Sequence, residues 1–552
     1  MASISDRAGH GLLLGLVLVI ALSPGKAVSD SFSATSAPEL PRLYVDTTYV
    51  PPSGRSLRVS AGGDFQAALN QAQPGDTIIL ERGATFTGPF TLLNKPGSGW
   101  IVIRTSAPDS GLPLPGNRID PSYATLMPKL QAASGSVIVA APGAHHYRFI
   151  GVEILPKRGV FLYNLVQLGA RETSIEDLPH SIIFDRCYVH GDPQKGSRRG
   201  IAMNSRSTAV IDSYLSDFKE VGQDSQAILG WNGSGPFKIV NSYLEGAGEN
   251  VMFGSGDPAI PNLVPSDIEI RRNHFAKPLS WKLGDPTYEG TPWTIKNLFE
   301  LKNARRVLID GNLFEHNWPH AQNGFAILFT VRNQDGSSPW SVIEDVIFTN
   351  NIVRHAAQGI NVLGLDDNFP SQRTKRIVIK NNLFDDVGNP RWGGGGTLFQ
   401  LLRGAADVVI EHNTAFQSGK IIMADGEALT GFVYRYNISP HNEHGIIGTG
   451  AGVGTPTLNR YFPEGVIKKN VITGGNPDHY PAENFFPRSL DEVRFRDRTG
   501  GNYRLAASSL AKRAGANGKD LGVDFDLLCA AITPTADPQT FCHSHAVPAT
   551  SR

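Results

Sequence analysis

The chain has 552 residues, 40% of them hydrophobic and 18% charged, with 59 Gly and 37 Pro. Lys plus Arg and Asp plus Glu number 51 each; this zero net charge argues against a nucleic-acid partner, which is usually met by a basic stripe, and no polybasic segment marks a membrane surface. Collagen is excluded because no Gly-X-Y period appears, and a length that suits about three or four ordinary domains also suits one solenoid, which grows by adding repeats to a single core.

Residues 1–27 read as a signal peptide. Arg7 is its positive flank, residues 11–22 form an uncharged apolar run, and Gly25-Lys26-Ala27 offers small residues for cleavage. The run is shorter than the roughly 20 residues a bilayer needs. The expectation is therefore a secreted, periplasmic or cell-surface protein with no membrane span after cleavage; an uncleaved N-terminal anchor is the alternative. Residues 28–56, rich in Ser, Ala, Thr and Pro at their start, read as a flexible leader.

Residues 64–72 predict a short amphipathic helix, with Asp64 as N-cap and Phe65 and Leu69 on one face. Pro74-Gly75-Asp76 stops it and residues 77–80 begin a strand. A helix, a turn and a strand suit the cap over the first coil of a solenoid.

A repeat then dominates. An apolar, largely β-branched strand runs into a polar turn and one or two apolar residues, as in Ile268-Glu269-Ile270-Arg271-Arg272-Asn273-His274-Phe275 and Ile377-Val378-Ile379-Lys380-Asn381-Asn382-Leu383-Phe384. The turn residues are Cys187, Ser213, Ser242, Asn273, Asn312, Asn351, Asn382, Asn413, Asn437 and Asn470, spaced 24 to 39 apart. Second strands lie between the copies, among them residues 298–302, 325–332, 359–363 and 398–401. One coil cannot bury its own face, so stacked coils are what make a core. Stacked Asn side chains can bond one another and cover turn backbone groups, and the Ser and Cys positions should carry a weaker ladder. The fold class expected is all-β: a right-handed parallel β-helix of about ten coils over residues 57–525, with a short N-terminal capping helix and a tail over 526–552. Cys529 and Cys542 could close a small loop in an oxidising compartment, and Cys187 reads as a buried repeat residue.

These repeats, the helix-plus-Pro-Gly-Asp start and the closing segments Asn502-Tyr503-Arg504-Leu505, Ala514-Gly515-Ala516 and Asp520-Leu521-Gly522 resemble the pectin-lyase-like superfamily over roughly residues 57–525. The resemblance implies a parallel β-helix and, for many members, cleavage of acidic polysaccharides by lyases or hydrolases; other members are adhesins. The family's catalytic motifs do not carry over. Trp-Ile-Asp-His, Asn-Thr-Asp and Arg-Ile-Lys are missing, and Gly9-His10-Gly11 falls in the signal peptide.

Strand alternation points to a site. With Phe299 and Leu301 inward, Glu300 and Lys302 face out; with Ile327, Phe329 and Val331 inward, Thr330 and Arg332 face out; Asn361 and Gln400 follow on later coils. Such a stripe could hold an extended polymer. β-Elimination from a uronic acid needs a cation for the substrate carboxylate, a base for the adjacent proton and an acid for the leaving oxygen. Lys302, Arg332 and Glu300 are the catalytic candidates; the same pattern also fits a solvated strand face. His316, Trp318 and His320, read as a polar loop beside the stripe, join Asn361 and Gln400 as candidate sugar-binding residues.

Glu249 and Asp257, in Gly-rich turns, could give oxygen ligands to Ca²⁺, although such turns also hold carboxylates for backbone reasons. No other cofactor is suggested. Asp366-Asp367 could serve a hydrolase or simply form a turn, and Gly393 to Gly396 reads as a flexible turn. The partner expected is a polysaccharide, met by a monomer. Two classes of function stay open: an exported polysaccharide-acting enzyme, such as a lyase on a uronic-acid polymer, and a non-catalytic glycan-binding surface or matrix protein.

Overall fold

Successive coils contribute strands in turn to three parallel sheets in the computed structural model, which describes residues 36–516, 518–532 and Cys542. The expected signal peptide and the start of the leader lie outside the described residues. The first sheet has 14 strands, from Ser56–Val59 to Val466–Lys468; the second has 12 and the third 13. Neighbouring strands in a sheet are one coil apart in sequence. This is a right-handed parallel β-helix.

The ten repeat copies are the last ten strands of the first sheet. Four more precede them, Ser56–Val59, Thr77–Leu80, Ile101–Thr105 and His145–Ile150, so the count of about ten coils was short. The upstream coils lack the polar signature: after His145–Ile150 the turn is Gly151-Val152, and a buried apolar Val152 stands where later coils have Asn. Apolar packing fills the ladder position there.

The turn from first to third sheet takes two residues. The first adopts left-handed φ, as in Arg272 (54°), Asn350 (53°) and Asn381 (55°), which bends the chain sharply. The second is the ladder residue. Asn312 donates its side-chain N–H to Asn351 Oδ1 at 3.0 Å, and its backbone N–H reaches the same oxygen at 2.9 Å. The pattern repeats through Asn382, Asn413, Asn437 and Asn470 and ends on Asn484. Ser213 makes only its backbone donation to Ser242 Oγ, at 3.2 Å, so the early coils carry one link where the Asn coils carry two. Cys187 is buried in the ladder, and burial pushes its thiol up to about 12.

Inside, apolar side chains stack coil on coil. Phe275 and Phe314 lie 4.4 Å apart and Phe314 and Phe348 5.7 Å; burying each stabilises by roughly 1.5–3 kcal/mol. The N-terminal end is closed by helix Phe65–Gln71, where Asp64 accepts the Ala67 N–H and Phe65 and Leu69 are buried. Late in the chain, helix Phe525–Ile532 lies against the side of the third sheet, packs Phe525, Leu528 and Ile532 on Leu313, Ile352 and Leu383, and joins Cys529 to Cys542 by a disulfide. Its approach explains Gly311 (φ 67°), whose Cβ would meet the Ala531 carbonyl oxygen at 2.7 Å.

The segment expected as a flexible leader is, from residue 36 on, laid along the first sheet. Glu39 donates its backbone N–H to Asp345 and Arg42 its own to Asp267, while Arg148 donates to the Thr47 carbonyl. Asp345 and Asp267 stand two coils apart, about 10 Å, which is the reach of three extended residues at about 3.3 Å each. The strap therefore stays in register with every second coil.

Candidate functional site: a polar cleft on the second sheet

Four consecutive strands of the second sheet, Asn297–Leu301, Phe325–Thr330, Gln358–Leu363 and Phe399–Leu402, pair in parallel with Glu300, Leu328, Asn361 and Gln400 in one column. The alternation follows the sequence. Phe299, Leu301, Ile327, Phe329 and Val331 are in the core, so Glu300, Lys302, Thr330 and Arg332 are left on the outer face.

They line one cleft of about 530 Å³ together with Asn361 and Asp366, walled by Gln322, Asn323, Gln334 and Asn368. Glu300 is only 2% exposed. Its two oxygens accept the Thr330 hydroxyl at 3.1 Å and the Asn297 amide at 3.0 Å, and Lys302 Nζ stands 3.9 Å away. The Arg332 backbone N–H donates to the Lys302 carbonyl at 2.9 Å, joining the two coils. The Arg332 guanidinium donates to Asp366 at 2.7 Å and to Asp367 at 3.3 Å. Asp366 also accepts the backbone N–H groups of Asn333 at 2.7 Å and Asn368 at 3.0 Å. Burial alone would push its carboxyl up; those two N–H groups and the guanidinium outweigh it and hold Asp366 below the usual carboxylate range. Asn361 Oδ1 is buried and has no hydrogen-bond partner among the described residues.

Other expected residues fall elsewhere. His316 is still in strand Leu313–Asn317 of the third sheet, and its ring stacks on Trp392 at 5.4 Å and on His355 at 5.7 Å. Burial lowers its pKa to about 4. Trp318 is buried with Ala247, Trp281, Trp293 and Ile295, and His320 accepts the Ile295 N–H at 3.3 Å. Trp318 and His320 line a separate aromatic hollow of about 390 Å³ with Trp281, Tyr288 and Trp392. The expected wall residues His316, Trp318 and His320 are thus replaced by Gln322 and Asn323, because the chain leaves the third sheet only after Asn317. Gln400 lies one coil beyond Asn361, on a neighbouring hollow.

Glu249 and Asp257 serve separate networks. Glu249 is fully buried, accepts the Gln226 amide at 2.7 Å and lies 3.6 Å from Lys296. Burial, then Asp224 and Glu300, push its carboxyl up to about 7 against Lys296 and Lys302. Asp257 accepts the N–H groups of Gln334, Asp335 and Ser337 and the hydroxyls of Ser337 and Ser338, which fills its lone pairs and clamps the loop that follows Arg332. Among the described residues no group of three or more His, Cys, Asp or Glu side chains is arranged to hold a metal ion. Asp366-Asp367, read as turn or hydrolase pair, is the anchor of Arg332. The only sequence signal for that role was two carboxylates one coil after a lone outward Arg.

A further hollow of about 420 Å³ lies against the C-terminal segment. Of the cations in its lining, Lys380, Arg504 and Lys512 are paired with Glu411, Asp526 and Asp520. Among the described residues no helix is long and apolar enough to cross a membrane.

No protein-family model and no curated protein matches the chain. Among solved structures it is similar to the PL6 family alginate lyase AlyGC, at 13% identity and a TM-score of 0.46, over 85% of this chain and 58% of that one. It is also similar to the catalytic unit of a thermostable GH87 α-1,3-glucanase from Streptomyces thermodiastaticus, at 11% identity and a TM-score of 0.49, over 81% of this chain and 72% of that one. A mannuronic acid specific polysaccharide family 6 lyase from human gut microbiota matches at 11% identity and a TM-score of 0.40, over 80% and 89%. The chain spans little more than half the length of AlyGC. Likenesses this distant assign no activity, and the architecture rests on the chain's own strand order. Its three parallel sheets and asparagine ladder make it a right-handed parallel β-helix protein.

Proposed function

We propose that the chain is an exported polysaccharide-acting enzyme that breaks a uronic-acid polymer by β-elimination. The observation that supports this reading is the grouping of Lys302, Glu300 and Arg332 around one polar cleft on adjacent coils. A glycan-binding surface would instead spread exposed aromatics along many coils.

In this reading Arg332, held in direction by Asp366 and Asp367, pairs with the substrate carboxylate. That neutralises charge where it builds up as the neighbouring carbon loses its proton. The Lys302–Glu300 pair receives the proton. The electron pair left behind forms a carbon–carbon double bond, the glycosidic carbon–oxygen bond breaks, and the pair returns a proton to the leaving oxygen. Atoms balance without water: one product carries an unsaturated uronate and the other a free hydroxyl. Thr330 and Asn297 hold Glu300 in place, and the half-buried Asn361 side chain lines the same cleft one coil beyond Leu328.

The test is a screen of the purified protein on acidic and neutral polysaccharides, following ultraviolet absorbance of unsaturated uronate and, separately, reducing ends. Absorbance rising on an acidic polymer alone supports the reading. Reducing ends without absorbance would make the protein a hydrolase, and binding without either would make it a glycan-binding protein.

A further inference from the structure

The glycine run Gly393 to Gly396 has no part in the chemistry above, yet it lies beside the cleft. A hollow of about 460 Å³ adjoins it, lined by Asn323, Phe325, Gln358, Gly395, Thr397 and Gln400 among others. Asn323 and Phe325 also line the reaction cleft, so the two spaces adjoin. Gln400 follows Asn361 in the column that begins at Glu300, three coils and about 14 Å from it. The lining holds no charged side chain. Gln358 donates to the Asn323 carbonyl at 2.8 Å, which fixes the shared wall. The half-buried Gln400 amide has no hydrogen-bond partner among the described residues.

The glycines form this floor for steric reasons. Gly394 (φ 67°) and Gly396 (φ 62°) need left-handed backbone, and a Cβ on them would strike Ala357 and Ser418. The loop is pressed flat by the Gly396 N–H to the Ala357 carbonyl and the Gly359 N–H to the Thr397 carbonyl. Gly395 differs. It is exposed, it is not among the glycines with positive φ, and the nearest atom to an added Cβ is Gln358 Oε1 at an ordinary 3.5 Å. A side chain there would rise into the hollow with little strain.

We propose that this glycine ledge, with Gln358 and Gln400, is a second sugar subsite, which holds a neighbouring unit of the same polymer by its hydroxyls and ignores its carboxylate. The inference rests on the reading of the cleft as a glycan site. Neutral amides and a flat backbone floor match hydroxyls and a ring face; the carboxylate is recognised once, at Arg332. Specificity then splits: the reacting unit must be a free acid, and the unit on the ledge is accepted as acid or ester.

The test plugs the ledge with Gly395→Trp and removes its free amide with Gln400→Ala. Oligogalacturonates and oligomannuronates from dimer to octamer are the probes, and an oligomer with one free carboxylate, its other units methyl-esterified, is compared with the fully acidic one. The expected result is a rise in KM of about tenfold on the longer oligomers in each variant, with kcat, the unfolding midpoint and turnover of the shortest cleaved oligomer unchanged. The parent should cleave the singly acidic oligomer with a KM within about threefold of the acidic one. Unchanged KM in Gly395→Trp overturns the ledge and leaves the lyase reading standing. A KM more than about tenfold higher for the singly acidic oligomer overturns its indifference to charge. If the parent cleaves none of these, calorimetric binding of the same oligomers decides: weaker binding in Gly395→Trp keeps the subsite and removes the enzyme, and no binding by the parent overturns both.

Discussion

Arg332 and Asp366 form an ion pair at 2.7 Å in which the carboxylate also receives the Asn333 backbone N–H, so the guanidinium and the loop that carries it are aimed by one group. Asp366→Asn keeps the shape and weakens that aim. The expected loss in kcat/KM is about 10–100-fold, the range that misplacement of a reacting group produces, with stability lowered by about 1–2 kcal/mol for the buried hydrogen bonds. Steady-state kinetics and a denaturation curve on the same preparation check it.

Lys302 is the group the proposed chemistry can least spare. Its side chain is 18% exposed and lies beside the buried Glu300, so truncation to Ala would cost packing as well as charge. Lys302→Met keeps the stem. Activity should fall by about 10²–10⁴-fold, the usual contribution of a proton-transfer group, while the fold and the ladder stay intact by circular dichroism.

The asparagine ladder should be felt as stability. Asn351→Ala leaves two donors of Asn312 without their acceptor and removes one donor to Asn382. At about 1–3 kcal/mol per buried orphan the loss should be at least about 2 kcal/mol. Ser213→Ala removes a single acceptor for the Cys187 N–H at 3.0 Å and should cost less. Chemical denaturation of the two variants side by side measures the difference.

His316 makes acid sensitivity. Burial holds its pKa at about 4, below the 6.5 of a free imidazole, against the pull of Glu315 and aided by His355, Arg354 and His274. A ring that folds neutral contributes stability that is whole above pH 6.5 and is lost as pH falls from there toward 4. His316→Asn tolerates the local φ of 65° and removes the titration. Its unfolding midpoint should be lower at pH 7 but should drop less between pH 7 and pH 5 than that of the parent.

Much of this was legible in the chain because a strand fixes direction by alternation. Glu300, Lys302, Thr330 and Arg332 could be placed outward, and on adjacent coils, from the apolar residues between them; the ladder was legible because Asn recurs at one turn position. What failed depended on where a strand ends or on distant chain. His316 sits on the third sheet because that strand runs on to Asn317, which no local pattern marks. Asp366 aims Arg332 from 34 residues away, and its own neighbourhood reads as a turn. The strap at residues 36–50 looks like a polar linker until Asp267 and Asp345 are seen to meet its backbone, and Val152 hides a coil by replacing the expected Asn.

The central claim is that the cleft breaks its polymer by elimination, and the most direct measurement is mass spectrometry of the products formed from a defined oligouronate in water enriched in heavy oxygen. Elimination takes no oxygen from solvent into the broken bond. The account predicts one unsaturated product, lighter by one water than its saturated counterpart, with no label beyond the slow exchange seen at the reducing end of an uncut control. A saturated product that carries solvent oxygen at the cleaved linkage would contradict it.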